Sequence, residues 1–210
     1  MNNIIIAGAP LAKASKALIM LHGRGATAQS ILGLAEHLNV KEFALLAPQA
    51  EGNTWYPYSF IAPAENNEPY LSQSLKAVAD TVSQAVDNGI AKENIYMLGF
   101  SQGACLASEY MARNADRYGG FIVFTGGLIG EQIKRNNYKG NFNDTPVFIG
   151  TSDPDFHVPV ERVYATANIL KEMGADVTEK VYANIGHTIN KDELDNANRL
   201  VFASNVTKEV

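Results

Sequence analysis

A serine framed by two glycines is the clearest chemical feature of the sequence. The pattern Gly-x-Ser-x-Gly spans residues 99–103, with Ser101 at its centre, between β-forming residues 95–98 and a helix-like stretch, 104–112. A strand that turns at once into a helix strains its corner residue, and the glycines leave room for neighbouring chain. The corner also exposes the hydroxyl at the positive end of the helix dipole. We therefore predict Ser101 as a nucleophile, although a plain glycine-rich turn would show the same pattern.

A serine nucleophile needs a base, and the chain has four histidines. His187 follows the last predicted strand and comes after Ser101, in the order serine, acid, histidine that a nucleophile at such a strand-to-helix turn requires. His22 ends a strand but precedes the serine. His37 falls in a short helical pattern, where a solvent-facing position is the simpler interpretation, and His157 lies beside a candidate acid and could line the site. We predict His187 as the base.

Two aspartates, Asp153 and Asp155, are candidates for the acid that orients His187. Either carboxylate could accept the Nδ1 proton of the imidazole and stabilise the imidazolium. Either could instead cap the helix that follows, and we expect one aspartate to do each job. A metal site of these two residues with His157 and His187 is a weaker alternative, because an ion beside such a serine would be redundant and no paired-histidine motif is present.

An oxyanion formed by attack on a carbonyl needs two N–H donors. We predict the main-chain N–H groups of Gln102, which follows the serine, and of Arg24, in a glycine-rich loop after an earlier strand. Residues 23–28 of that loop also fit the dinucleotide-binding pattern Gly-x-Gly-x-x-Ala. This alternative lacks the acidic residue expected at the end of the next strand, where Pro48 and Gln49 stand. The chain also lacks the Gly-Lys dipeptide of a P-loop.

These residues must be positioned by the elements that precede them. Short apolar runs alternate with amphipathic helical stretches, which predicts an α/β fold with a mostly parallel sheet and helices on both faces. Ligands of such sheets gather beyond the carboxyl ends of the strands. A chain of 210 residues can bury a full core, and we expect one domain, 1–210. The predicted strands are 4–9, 17–21, 43–47, 95–98, 121–125, 147–149 and 177–182, and the longer predicted helices are 71–86 and 160–173.

One long segment, residues 48–69, has no regular pattern and is rich in asparagine, proline and aromatic residues. Loops of this length in compact domains tend to be functional. We expect apolar residues that follow strand ends to wall a pocket for the acyl or alcohol group, although core packing is the simpler role for an aromatic residue such as the tryptophan. The predicted pocket residues are Trp55, Tyr58, Phe60 and Leu128.

The charge, the cysteine content and the apolar runs of the chain limit which partners and which cell compartment we expect. The net charge of −5, with 17 scattered Lys and Arg residues, offers no basic face for nucleic acid. The single Cys105 forms no internal disulfide framework and suits a reducing compartment, so we expect a cytoplasmic protein. No apolar run approaches the roughly 18 residues of a membrane span. The apolar N-terminal run is interpreted as a strand, because no Lys or Arg precedes it and Pro10 interrupts it. A homodimer is compatible with the sequence.

Five motifs occur in one characteristic order. They are Leu-His-Gly at 21–23 with Gly25 after it, Trp55, Gly-Phe-Ser-Gln-Gly-Ala at 99–104, Asp-x-x-Val-Pro at 155–159 and Gly-His at 186–187. Together they resemble the phospholipase/carboxylesterase family of α/β-hydrolases, which includes bacterial carboxylesterases and acyl-protein thioesterases. The resemblance covers nearly the whole chain, from about residue 17 into the closing helix.

The resemblance implies a small serine hydrolase with no cofactor and no separate cap domain, acting on esters or thioesters of carboxylic acids. It implies Ser101 as nucleophile, His187 as base, and Arg24 and Gln102 as backbone donors. The alternatives are a catalytically silent binding protein of the same fold and a Rossmann-like oxidoreductase. The complete set of serine, acid and histidine disfavours the first alternative, and the missing ribose-binding acid disfavours the second.

Two departures from the family pattern concern the site. The distance to the Val-Pro pair selects Asp155 as the acid, whereas the distance from the preceding glycine selects Asp153, so two extra residues stand between them. We expect Asp155, because the Val-Pro pair begins the next helix and should be anchored to the turn that carries the acid. The second departure is Arg24, where the thioesterases more often have an apolar residue. The segment 54–60 is closer to a bacterial esterase branch.

Overall fold

A seven-stranded sheet forms the centre of the computed structural model, which describes residues 3–203. Its spatial order is β1-β3-β2-β4-β5-β6-β7, and every neighbouring pair is parallel except β1 with β3. This arrangement confirms the predicted mostly parallel sheet. The strands are β1 (Ile4–Gly8), β2 (Ala17–Leu21), β3 (Ala44–Pro48), β4 (Ile95–Phe100), β5 (Gly120–Phe124), β6 (Pro146–Asp153) and β7 (Asp176–Ala183).

Helices cover both faces of the sheet, as the alternating pattern predicts. One face carries α2, α3 and α4, and the other carries α1 and α5. Successive side chains of a strand point to opposite faces, so Ile19 of β2 enters one core and Met20 enters the other. A strand buried on both faces must therefore be apolar at consecutive positions. The helices are α1 (Ala28–Leu32), α2 (Tyr70–Asp87), α3 (Gln102–Arg113), α4 (Val160–Glu172) and α5 (Lys191–Leu200).

The largest difference from the predicted elements is the length of β6. The apolar run predicts residues 147–149, whereas the strand extends from Pro146 to Asp153 and pairs with β7 over all eight residues. The apolar pattern does not predict residues 150–153 as part of the strand, because main-chain hydrogen bonds between strands form whatever the side chains are. The short helical pattern that contains His37, residues 31–38, also divides, since α1 ends at Leu32 and a 3₁₀ turn, Gly33–His37, follows it.

A buried carboxyl group, that of Glu193, caps the start of α5 next to the loop that joins β7 to α5. Glu193 donates its main-chain N–H to Asn190 Oδ1 at 3.0 Å, and its own Oε2 accepts the N–H of Asn190 at 2.8 Å. This reciprocal cap satisfies two free donors at the start of α5. Glu193 is fully buried against Gly150 of β6, and its Oε1 meets no hydrogen-bond donor in the described part of the chain. Burial raises the pKa of Glu193 to about 7.

This raised pKa makes stability depend on pH through Glu193. The folded protein keeps the proton up to about pH 7. The unfolded chain loses it near ~4.3, so stability falls by at most ~1.4 kcal/mol per pH unit between these values. We expect Glu193→Gln, which has no proton to lose, to gain stability relative to wild type between about pH 5 and about pH 8. Urea denaturation at both pH values measures this, with exposed Glu36→Gln as control, and an equal difference at both pH values would refute the linkage.

Candidate active site

Ser101 occupies a strained turn between β4 and α3. Its φ of 54° lies in the left-handed region that residues with a side chain rarely adopt. A Cβ atom on Gly99 would overlap the Gly103 carbonyl oxygen, and one on Gly103 would overlap the carbonyl oxygens at the end of β2. Both glycines of the motif are therefore steric requirements of this crossing. The turn brings Ser101 to the carboxyl edge of the sheet, next to Gly23 of the β2 loop.

Three side chains from three strand ends meet at this edge. His187, in the loop after β7, has its Nε2 atom 2.8 Å from Ser101 Oγ. Its Nδ1 atom lies 2.8 Å from Oδ2 of Asp155, which follows β6. The carboxylate of Asp155 is fully buried behind the imidazole, and the imidazole remains partly accessible. The resulting chain of hydrogen bonds can move a proton from a serine hydroxyl to an imidazole.

Asp155 also caps the turn that leads into α4. Its second oxygen, Oδ1, accepts the main-chain N–H groups of His157 at 2.7 Å and Val158 at 3.0 Å. The expectation that two aspartates would divide these tasks is therefore wrong, because one carboxylate has an oxygen for each. Asp153 is exposed. Burial raises the pKa of Asp155, but the hydrogen bonds from these N–H groups and from His187 outweigh burial, so its pKa lies below the usual value.

The predicted oxyanion donors flank the serine. Gln102 begins α3, Arg24 lies in the loop after β2, and both line the same cavity as Ser101. Within the described chain, neither main-chain N–H meets a hydrogen-bond acceptor. Two free N–H groups beside the hydroxyl are what a tetrahedral oxyanion requires.

His22 was not predicted as a site residue because it precedes the serine in the sequence. It holds the loop after β2 in place through a hydrogen bond to Gly23. It is fully buried, and its Nε2 accepts the N–H of Ala50 at 3.2 Å. The proton must then lie on Nδ1, which donates to the carbonyl oxygen of Gly23 at 2.8 Å. Burial lowers the pKa of His22, which favours this neutral form. The Gly23 carbonyl and the Arg24 N–H belong to one planar peptide and point in opposite directions, so fixing the first fixes the second.

The side chains of the two predicted donor residues hold the long loop in place. The Arg24 guanidinium donates to the carbonyl oxygens of Tyr56, Pro57 and Tyr58 at 2.8–3.0 Å. Gln102 donates to the Tyr56 carbonyl at 2.8 Å and accepts the N–H of Trp55 at 3.1 Å. The loop is therefore tied to the same two residues whose main chains flank the serine.

This loop forms one wall of a cavity of about 430 Å³ that opens at Ser101. Tyr58 and Phe60 line it, in agreement with the predicted pocket. Trp55 and Leu128 do not line it, and the prediction is corrected for both. Trp55 is a buried anchor that donates its indole N–H to the His22 carbonyl at 2.8 Å. Leu128 is fully buried in the core between sheet and helices.

Three other lining residues, Tyr56, Cys105 and Val158, were not predicted from the sequence. His157 also lines the cavity, which is the position considered for it from the sequence. Burial raises the pKa of the Cys105 thiol to about 12, so the thiol stays protonated. Its position one helical turn after Ser101 would have indicated this placement. Across residues 3–203, no group of three His, Cys, Asp or Glu residues is arranged to hold a metal ion.

A parallel sheet with a serine turn after β4, an acid after β6 and a histidine after β7 defines the α/β-hydrolase fold. A family model described as phospholipase/carboxylesterase matches residues 2–203. The chain belongs to this family. No helix in the described range 3–203 is long and apolar enough to cross a membrane.

Individual relatives agree with this assignment. A crystal structure of a phospholipase/carboxylesterase from Dyadobacter fermentans DSM 18053 superposes with a TM-score of 0.95 at 50% identity, covering 96% of this chain and 97% of that one. Acyl-protein thioesterase 1 of Saccharomyces cerevisiae is 28% identical over 93% of this chain and 95% of its own length. A probable carboxylesterase of Arabidopsis thaliana, SOBER1-like, is 28% identical over 63% of this chain, which spans only about half, 51%, of that protein.

The contact between His22 and Gly23 generates a prediction for turnover. We expect His22→Ala to lower kcat on a short ester by roughly 10²-fold, the scale for loss of one oxyanion donor, with little change in KM. His22→Asn retains a donor near the Nδ1 position and should keep more of the rate. Steady-state kinetics measures both variants against exposed His37→Asn as control. Equal kcat values for the alanine and asparagine variants would show that the hydrogen bond to Gly23 does not determine the rate.

Proposed function

We propose that the protein is a serine hydrolase that cleaves carboxylic esters or thioesters through an acyl-enzyme on Ser101. The observation that carries the proposal is the continuous hydrogen-bond chain from Ser101 Oγ through His187 to Asp155, with both contacts at 2.8 Å. Membership of the phospholipase/carboxylesterase family supports the same reaction class. The mechanism uses only side chains and backbone groups of this chain and needs no cofactor.

In acylation, His187 accepts the hydroxyl proton as Ser101 Oγ attacks the carbonyl carbon of the substrate. The negative charge that develops on the carbonyl oxygen is stabilised by the main-chain N–H groups of Arg24 and Gln102. The imidazolium then gives its proton to the departing alcohol or thiol, and an ester of Ser101 remains. The ionised Asp155 holds the imidazole in the required tautomer and stabilises its charged form.

In deacylation, water takes the place of the alcohol and the same groups act again. His187 accepts a proton from the water, whose oxygen attacks the acyl carbon, and the same two N–H groups stabilise the second oxyanion. Collapse of this intermediate releases the carboxylic acid and returns the proton to Ser101. The site is thereby restored without net change.

The substrate in this proposal is a small ester or thioester whose variable part contacts the wall of Tyr58 and Phe60. We also propose a cytoplasmic location. The only cysteine, Cys105, is a buried thiol with no disulfide partner in the chain, which suits a reducing compartment. A homodimer is compatible with it, because the proposed chemistry needs groups from one copy only.

The nucleophile is tested by Ser101→Ala. We expect a folded protein whose turnover of a short p-nitrophenyl ester is lower by ~10⁴-fold or more, because removal of one member disables the whole unit. A fluorophosphonate probe should label the wild type on the peptide that contains Ser101 and should leave the variant unlabelled. Wild-type turnover by the variant, or labelling at another serine, would remove Ser101 from this role.

The acid is tested by paired amide substitutions. We expect Asp155→Asn to lower kcat by roughly 10⁴-fold with little change in KM, because the amide favours the wrong imidazole tautomer. Its Oδ1 can still accept the N–H groups at the start of α4, so the fold should survive. Asp153→Asn is the matched control and should retain nearly full activity because that side chain is exposed. The reverse ranking of the two variants would assign the role to Asp153.

A further inference from the structure

We propose that the substrate carries a negatively charged group close to the scissile bond, and that the Arg24 guanidinium selects it. This inference rests on the proposed ester hydrolysis and adds a substrate class to it. Three features support it: Arg24 is the only Arg, Lys, Asp or Glu that lines the cavity within residues 3–203, its guanidinium has no counter-ion there, and the His157 ring can donate a hydrogen bond.

The cavity wall differs in charge from the rest of the protein. The chain has 22 acidic and 17 basic residues, for a net charge of −5. Yet among residues 3–203 no Asp, Glu or Lys lines the cavity, and Arg24 is the one permanently charged residue that does. A cleft lined by one sign of charge raises the local concentration of ligands of the opposite sign. The wall therefore favours an anionic ester over a neutral or cationic one.

Arg24 is a fixed cation without a counter-ion. Its guanidinium is held by three carbonyl oxygens of the loop, and no carboxylate within the described range forms an ion pair with it. A guanidinium has five N–H donors, and the loop carbonyl oxygens accept three of them, so two are not used by the loop. Because the loop already holds the side chain, little conformational entropy is lost when an anion binds.

His157 adds a second donor among the residues that line the cavity. Its exposed ring lies edge-on to His187, with 4.8 Å between the ring centroids, and within the described structure its ring nitrogens form no hydrogen bond. A neutral imidazole has one N–H that can donate to a carboxylate oxygen. Carboxylates are bound well by a guanidinium together with a second donor.

The test compares charged and neutral esters of matched shape. In one pair the charge is on the leaving group, 4-acetoxybenzoate against its methyl ester, and in the other it is on the acyl group, monomethyl succinate against dimethyl succinate. The measured quantity is the ratio of kcat/KM within each pair for wild type divided by that for Arg24→Gln. This double ratio cancels the intrinsic reactivity of the esters. We expect it to be about tenfold in favour of the charged ester in at least one pair, and smaller in about 0.5 M NaCl.

Two further variants separate charge from loop support. Arg24→Lys keeps the charge but loses the three-way contact with the loop, and it should retain most of the preference for the charged ester. Arg162→Gln is the matched control, since Arg162 also donates to three loop carbonyl oxygens, those of Leu128, Gly130 and Glu131, but does not line the cavity. It should leave the ratio within each pair unchanged.

Each outcome decides the matter. Double ratios near one in both pairs, or equal effects of the lysine and glutamine variants at position 24, would overturn the inference and leave Arg24 as a support for the loop. The pair that shows the preference assigns the anion to the leaving group or to the acyl group. Hydrolysis of none of the four esters by wild type would instead count against the proposed function itself.

Discussion

The close approach of α3 to the end of β2 is the contact on which the site depends. At Gly103 the main chain of the helix passes so near the carbonyl oxygens of Leu21 and His22 that no side chain fits between them. This contact brings together the turn that carries Ser101 and the loop that carries Arg24. The proposed nucleophile and the proposed oxyanion loop are thus positioned by one backbone crossing, and the strained φ of Ser101 is the conformational cost of that crossing.

Arg24 and Gln102 lie next to this crossing, and each contributes both its main chain and its side chain to the site. Their main-chain N–H groups are the proposed oxyanion donors, and their side chains hold residues 55–58 of the long loop. Trp55 adds a third tie through the His22 carbonyl. The wall of the cavity and the predicted oxyanion donors therefore cannot move independently. A substitution in this loop should consequently affect turnover as well as substrate preference, because a shift of the wall is transmitted to the donors.

The sequence predicts what local patterns control and misses what packing controls. The parallel sheet follows from apolar runs, and the positions of Ser101 and His187 follow from a strand-to-helix turn and a strand end. Burial of Trp55 and Leu128 depends on which elements cover them, and no local pattern records that. The double role of Asp155 was also missed, because spacing along the chain does not show that each oxygen of one carboxylate faces a different partner.

The double role of Asp155 also explains how an acid can serve the site without making the cavity negative. Its carboxylate is buried behind His187, where the main-chain N–H groups of His157 and Val158 and the imidazole all point toward it. These donors stabilise the ionised form in a place that solvent does not reach. The negative charge is therefore compensated locally and turned away from the substrate. In the proposed mechanism the substrate meets instead the free N–H groups of Arg24 and Gln102 and the uncompensated guanidinium of Arg24, which attract electron-rich oxygen.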